Sequence, residues 1–143
     1  MLDGSMRVLL PFASGFVDVR DVASLHVLAM TERVAAGERF IATAGRSLWT
    51  RDIAAVLRER LGERASRVPA RELPVWAARG LARVNPQVGA LRSLLGRNLD
   101  ATSAKAERLL GWKTRPIEET IVDTAESLLA QAEDAAGVGH HRG

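Results

Sequence analysis

The stretch from Gly15 to Met30 constrains this chain more than any other, because it joins a predicted strand directly to a predicted helix. Its first half, Phe16-Val17-Asp18-Val19-Arg20, alternates apolar and polar side chains, which is typical of a short strand. From Asp21 onward the apolar residues recur every three or four positions, the spacing of one helical face. Asp21 also stands where a capping carboxylate accepts a hydrogen bond from an unpaired N–H. The sequence therefore predicts a rigid strand-to-helix corner onto which the flanking chain packs.

Two carboxylates, Asp18 and Asp21, lie three residues apart at this corner. Such a pair is compatible with a metal site or with acid–base chemistry. The interpretation that we favour is structural: both carboxylates bond backbone N–H groups and pair with Arg20 or another arginine, which fixes the corner. His26, on the same helix, is interpreted as a histidine at the edge of the core. We therefore predict no metal site and no catalytic residue here.

The composition indicates one soluble globular domain. The chain has 143 residues, 47% hydrophobic and 26% charged, which is enough to bury a core. It contains no cysteine, so disulfides and cysteine-ligated metals are excluded, and a reducing cytoplasm is the expected location. No apolar run approaches the ~20 residues of a membrane span. The N-terminus lacks the pattern of a signal peptide, and we expect no membrane partner.

The basic charge balance raises the question of nucleic acid. The net charge is +3 and the isoelectric point is near 10.5. Acidic residues interrupt the arginines, however, as in Arg58-Glu59-Arg60 and Glu63-Arg64, and alternating signs indicate a solvated face with local ion pairs. Only 4% of the residues are aromatic, which leaves few side chains for stacking on bases. Nucleic acid is therefore not the expected partner.

Taken in order, the chain predicts an α/β protein that is mostly helical with a few short strands. Helical spacing and capping residues predict helices over 21–37, 47–61, 74–84, 88–95, 103–110 and 116–134. Ser47 is a predicted helix cap, and a strand is predicted at 39–44, with Phe40, Ile41 and Ala42 at its centre. Residues 1–134 form the predicted folded part, and 135–143 form a predicted disordered tail.

Two motifs carry a resemblance to a known family. The run Val17-Asp18-Val19-Arg20-Asp21-Val22-Ala23, then a helix with His26 and a strand at 37–42, resembles the second half of an extended short-chain dehydrogenase/reductase. The branch that it resembles is the dihydroflavonol-reductase-like aldehyde or ketone reductases of the NAD-dependent epimerase/dehydratase superfamily. Further along, 103–106 (Ser-Ala-Lys-Ala) and 109–112 (Leu-Leu-Gly-Trp) resemble that superfamily's C-terminal segment. The resemblance covers roughly residues 12–129.

The resemblance implies the substrate-side, C-terminal portion of a Rossmann-type reductase, in which residues 39–44 are the last strand of the parallel sheet. Catalysis in that family needs a glycine-rich turn for the cofactor and a Tyr-x-x-x-Lys pair for proton transfer. This chain has no tyrosine and no such glycine run, and its only lysines are Lys105 and Lys113. We therefore predict no catalytic or cofactor-binding residue in this chain; the complete enzyme would use NADP or, as the less favoured choice, NAD.

The resemblance also suggests a substrate class. Nucleotide-sugar enzymes of the superfamily carry an arginine just before the position of Phe16, where this chain has Ser14-Gly15. The departure favours a small aldehyde or ketone as the substrate of the complete enzyme. Apolar contacts with it are expected from Phe12, Phe16 and Trp76.

We thus predict the substrate-binding portion of an NAD(P)-dependent oxidoreductase, inactive alone, whose partner is a complementing N-terminal half. The family that it resembles consists of NAD(P)-dependent reductases and epimerases, but we expect no catalysis from this chain alone. One alternative is a free-standing homodimeric interaction domain that uses an apolar surface. The other, less favoured, is a basic nucleic-acid-binding module.

Overall fold

The computed structural model describes residues 1–139, with side-chain exposure given to residue 135. Its elements, in chain order, are β1 (Ala13–Ser14), α1 (Val19–Thr31), β2 (Leu48–Trp49), α2 (Thr50–Leu61), α3 (Val75–Val84), α4 (Pro86–Ala90), α5 (Ala104–Leu110) and α6 (Ile117–Gly139). β1 and β2 are antiparallel, with Ala13 opposite Trp49 and Ser14 opposite Leu48. The predicted class, mostly helical with a few short strands, is confirmed.

The corner starts its helix earlier than the sequence predicts. α1 begins at Val19, and its cap is Asp18, whose Oδ1 accepts from the N–H of Arg20 over 2.8 Å. Asp21, the predicted cap, lies inside the first turn, so the predicted cap and the predicted strand over 16–20 are both wrong. The prediction fails because alternating apolar and polar side chains over so short a segment as 16–20 are also compatible with a capping residue followed by one helical turn. The helix ends at Thr31, well before Gly37, because a 3-10 turn over Arg33–Ala35 follows it.

The strand predicted at 39–44 is not formed within residues 1–139. The segment is non-helical, and Phe40 and Ala42 pack beside Leu25 of α1. The backbone groups of 40–43 make no hydrogen bond with the described residues; Ala44 N–H donates to the carbonyl of Phe16 over 2.8 Å. A strand exists only beside a neighbour, and no neighbouring strand of a parallel sheet is present in this part of the chain.

α2 starts three residues later than predicted, and its first turn shows why. The N–H of Trp49 donates to Oδ2 of Asp52 over 3.1 Å, which fastens the start of the helix. Ser47, the predicted cap, is buried instead and donates through Oγ to the carbonyl of Leu99 over 2.8 Å. Gly62 ends α2 at φ 53°, as predicted from its position.

The helices after Pro74 begin close to the predicted positions, but the helix predicted over 88–95 is formed over Pro86–Ala90 instead, and 91–96 are turns. Asn85 ends α3 and caps α4, since its Oδ1 accepts from the N–H groups of Gln87 and Val88 over 2.9 and 3.3 Å. Ser103 precedes α5, and Gly111 ends it at φ 60°. α6 continues to Gly139, so 135–139 are helical although the tail is predicted to start at 135. The rest of that predicted tail, 140–143, lies outside the described residues.

Three apolar clusters hold these elements together. The first joins α2 to α6 through Ala54, Leu57, Leu61 and Ala125. The second places Trp112, only 2% exposed, against α1 and α5. The third packs Ala78 of α3 against Leu10 and Leu95, which come from two separate segments of the chain. The corner after β1 lies between the first two clusters, so both determine its position.

Candidate functional site

The corner carries a connected set of charged side chains. Asp18 is 3% exposed and accepts from Nε and Nη2 of Arg20 over 2.9 and 2.7 Å. The hydroxyl of Thr120 on α6 donates to the same carboxylate over 3.2 Å. Arg20 also donates to Asp123, one turn further along α6. The pair Asp18–Arg20 therefore fastens the start of α1 to α6.

A second buried carboxylate reaches the C-terminal motif. Asp21 is 6% exposed, and it accepts from the backbone N–H, Nε and Nη2 of Arg115 over 3.0, 3.0 and 2.8 Å. Trp112 donates from Nε1 to the carbonyl of Asp21 over 2.9 Å and lies 3.1 Å from Oγ of Ser24. The segment 112–115 is thereby fixed on the first turn of α1.

These contacts set the charge state of both carboxyl groups. The side-chain hydrogen bonds from Arg20 hold the pKa of Asp18 well below its ordinary value. Burial acts to raise the pKa of Asp21, but the hydrogen bonds from Arg115 outweigh it, and the pKa lies below the ordinary 3.8. Both groups are therefore ionised at neutral pH and engaged by guanidinium groups. A proton-transfer role would need a raised pKa, and a metal ion would have to displace these arginines.

No group of three histidine, cysteine, aspartate or glutamate side chains converges to hold a metal among residues 1–139. Nor does any helix in that part of the chain have the length and apolarity to cross a membrane. The observed contacts of Asp18, Arg20 and Asp21 join the start of α1 to α6 and to the segment 112–115.

Beside the corner lies an open apolar groove between α2 and α6, with a volume of about 770 Å³. Phe16 and Val17 line it, as do the N-terminal residues Met1 and Leu2. Its lining is largely aliphatic, from Ile53, Leu57, Ile117, Ile121, Leu128 and Leu129. We refer to it as the α2–α6 groove.

The three residues expected to contact a substrate lie apart. Phe16, 37% exposed, lines the α2–α6 groove. Phe12 packs in the third cluster with Leu10 and Ala78, and Trp76 is 78% exposed on α3. Neither the α2–α6 groove nor a second cavity beside Asp18 contains all three. Aromatic type alone cannot indicate which face of an element a side chain occupies.

Sequence reasoning missed Arg115 and Lys105 as fastening residues. Lys105 donates from Nζ to the carboxylate of Glu38 and, over 3.1 Å, to the carbonyl of Arg39. Its ammonium group also lies 5.3 Å from the centre of the Phe40 ring. In the sequence, only the position of Lys105 within the Ser-Ala-Lys-Ala motif pointed to it. Its contacts indicate that this motif holds residues 38–40 in place.

The sequence and the structure of the chain were compared with those of known proteins. No family model matches the chain. It is 33% identical over 115 residues to the NADPH-dependent methylglyoxal reductase Gre2 of Saccharomyces cerevisiae, covering 80% of this chain and 29% of that protein. The crystal structure of yeast methylglyoxal/isovaleraldehyde reductase Gre2 complexed with NADPH matches with a TM-score of 0.62 and 27% identity.

That structural match covers 91% of this chain and 39% of the yeast chain, so the chain spans well under half of the relative's length. It lies on the C-terminal portion of the yeast reductase. The chain is therefore homologous to the short-chain dehydrogenase/reductases of the epimerase/dehydratase family and corresponds to the C-terminal portion of such an enzyme.

Proposed function

We propose that residues 1–143 are the substrate-side part of an NADPH-dependent reductase for a small aldehyde or ketone, and that they are inactive by themselves. The observation that carries the proposal is the match to part of the yeast reductase, over 91% of this chain. The absence of tyrosine supports the inactivity, because that family's proton donor is a tyrosine.

The N-termini of the three longest helices do not fit the pyrophosphate of a dinucleotide. A pyrophosphate binds where helix N-terminal N–H groups are free and the local field is positive. α1 begins with Asp18 and Asp21, α2 has Asp52 in its first turn, and α6 has Glu118 and Glu119. These carboxylates repel a phosphate at the three longest helices. We infer that the cofactor is held by another part of the enzyme.

The segment 40–43 supports a complementing portion as the partner. Its backbone N–H and C=O groups have no partner within residues 1–139, although Phe40, Ala42 and Thr43 are at least half-buried. Thr43 Oγ1 is also buried without a hydrogen bond to the described residues. Unpaired polar groups at a buried site are costly, and a neighbouring strand would satisfy the backbone groups. We propose that a strand of the cofactor-binding portion pairs here.

The α2–α6 groove supports the same arrangement. At about 770 Å³ it is larger than a small aldehyde needs, and it is open and apolar. A surface of this kind is covered when the molecule is complete. We propose that Phe16, which lines the groove, and Phe12 border the substrate where the two portions meet; Trp76 has no such support.

The test is a chimaera in which this chain replaces the matched C-terminal portion of the yeast reductase. NADPH oxidation with methylglyoxal is followed for the chimaera, for this chain alone and for the truncated yeast portion alone. Activity confined to the chimaera supports the proposal. Turnover or NADPH binding by this chain alone contradicts the proposed inactivity, and a folded but inactive chimaera contradicts the proposed role.

A soluble homodimer is the second candidate, favoured by the groove alone. Light scattering over a range of concentrations distinguishes it. A stable dimer that persists on dilution, and that a Leu128→Glu substitution in the groove dissociates, supports the homodimer; a monomer supports the first proposal.

A further inference from the structure

Positive charge is concentrated in one part of this chain. Residues 73–99, which comprise α3, α4 and the turns after them, contain four arginines and no acidic residue. That segment carries a net charge of +4, whereas the whole chain carries +3. The remaining residues therefore sum to −1. Acidic residues interrupt the arginines elsewhere in the chain, but not in residues 73–99. We refer to this segment as the basic lobe.

The outer face of α3 combines this charge with exposed apolar side chains. Ala78 faces the cluster beneath and is fully buried. Trp76, Arg79 and Arg83 follow at intervals of three and four residues and are all exposed, which places them on one helical face. Val84, at the end of that face, is 79% exposed. Neither arginine forms a salt bridge within the described part of the chain.

A second arginine-bearing segment lies against α3. The Nη2 atom of Arg79 is 3.5 Å from the carbonyl of Leu95. Gly96 has φ +74°, and a Cβ added there would lie 3.0 Å from Cγ1 of Val75. This close approach holds the 94–97 turn beside the start of α3, and Arg97 is exposed on it. The positive charge thus belongs to one packed unit.

The opposite charge lies on a different element. α6 contains six acidic residues and no basic one: Glu118, Glu119, Asp123, Glu126, Glu133 and Asp134. A molecule with charge separated in this way orients in the field of a charged surface, with its basic part toward an anionic one.

The sequence predicts no membrane partner because it predicts no spanning segment, but a peripheral contact needs no span. We propose that the basic lobe binds the surface of an anionic lipid bilayer through Trp76, Arg79 and Arg83. Indole rings prefer the membrane–water interface, and guanidinium groups pair with lipid phosphates while the helix lies in the interface plane. Val84 would add apolar contact beside the indole. An acidic protein surface would complement the arginines, but it would need an apolar pocket of its own beside the acidic groups to cover the exposed tryptophan and valine. Duplex DNA would offer phosphates but no place for the aliphatic side chain. The lipid surface satisfies all four side chains.

The experiment is co-sedimentation of the full chain with phosphatidylcholine vesicles, with and without phosphatidylglycerol. We expect binding only to the anionic vesicles, weakened by salt. Each arginine near such a surface is worth about a fivefold change in affinity, so Arg79→Gln with Arg83→Gln is expected to lose about 25-fold. The matched control, Arg33→Gln with Arg60→Gln, removes the same charge from exposed positions elsewhere and is expected to lose far less.

Fluorescence provides a second readout. Entry of Trp76 into the interface shifts its emission to the blue, and Trp76→Phe abolishes that shift while binding persists in weakened form. Equal losses for the two arginine pairs overturn the proposal, as does binding that ignores lipid charge. Tighter binding to duplex DNA than to vesicles, or self-association that requires Arg79 and Arg83, also overturns it. Circular dichroism of each variant shows that it is folded.

Discussion

The indole of Trp112 donates a hydrogen bond to the carbonyl oxygen of Asp21 over 2.9 Å, which joins two segments 91 residues apart. These residues belong to the two motifs that carry the family resemblance. Arg115 adds three hydrogen bonds to the side chain of the same aspartate. The C-terminal motif therefore acts as a fastening for the first turn of α1, and this contact accounts physically for the presence of both motifs in one chain.

Truncation of Trp112 is expected to be among the most destabilising single changes. The side chain is 2% exposed and packs against Leu25 and Leu110, so Trp112→Ala leaves a large cavity and removes a buried donor. We expect a loss of about 3–5 kcal/mol in the free energy of unfolding. Urea denaturation followed by circular dichroism measures it. Trp76→Ala, at a 78% exposed position, is the control and is expected to change stability by about 0.5 kcal/mol at most. Similar losses for both variants would contradict the role of Trp112.

Neutralising Asp21 tests the carboxylate contact. Asp21→Asn keeps the shape of the side chain but leaves the guanidinium of Arg115 with Asp18, 3.7 Å away, as its remaining anionic neighbour, and we expect a loss of about 1–3 kcal/mol. A double-mutant cycle with Arg115→Met separates the pair from general effects, since Asp21→Asn should cost much less in a chain that already carries Arg115→Met. Additive losses would show that the two side chains are not coupled. Asp134→Asn, on the exposed side of α6, is a suitable control.

The same carboxylates predict how stability depends on pH. Both Asp18 and Asp21 have a lower pKa in the folded protein than the ordinary 3.8. A depressed pKa means that the unfolded chain binds protons first, so the stabilisation is complete above about pH 4 and is lost as the pH falls below it. Denaturation series from neutral pH into the acid range measure this loss. The Asp21→Asn variant should show a shallower loss than the parent, and an identical slope would contradict the assignment.

The sequence predicts a structural feature well when the residues that determine it are close together in the chain. Gly62, Asn85 and Gly111 end or cap helices where predicted, because each acts through its own backbone or a neighbour within three residues. The sequence places the cap of α1 three residues too late, since Asp18 and Asp21 are both good caps. Distant contacts distinguish them in the folded chain, because Arg115 holds Asp21 and Thr120 donates to Asp18.

The candidate site depends on distant contacts even more. Phe12, Phe16 and Trp76 look alike in sequence, yet one is packed in a cluster, one lines the α2–α6 groove and one is on the surface. The strand predicted at 39–44 has the right composition, but a strand also needs a neighbouring chain, and hydrophobic pattern cannot show whether that neighbour is present. The family resemblance can be recognised from the sequence because each of its two motifs is a short stretch of neighbouring residues.

Two glycines with different backbone conformations should respond in opposite directions to alanine. Gly80 lies within α3, and a Cβ added there meets nothing within 4 Å, so Gly80→Ala is expected to stabilise by about 0.5–1 kcal/mol. Gly111 has φ +60°, and Gly111→Ala is expected to destabilise by about 1 kcal/mol because of the left-handed backbone. Thermal unfolding followed by circular dichroism compares the two. A shift in the same direction would contradict the conformations assigned to α3 and to the end of α5.

The segment 40–43, whose backbone groups are unpaired in this chain, gives a prediction that differs between the chain alone and the chimaera. The N–H of Ile41 has no acceptor among the described residues, and the side chain is 56% exposed. Ile41→Pro therefore removes no hydrogen bond from the chain itself, and we expect the free energy of unfolding to change by about 1 kcal/mol or less. In the chimaera with the yeast cofactor-binding portion, proline would remove a ladder hydrogen bond from a strand within a sheet, and activity should fall sharply. Ile41→Val is the matched control and should keep that activity. An active Ile41→Pro chimaera would show that no partner strand pairs through this residue.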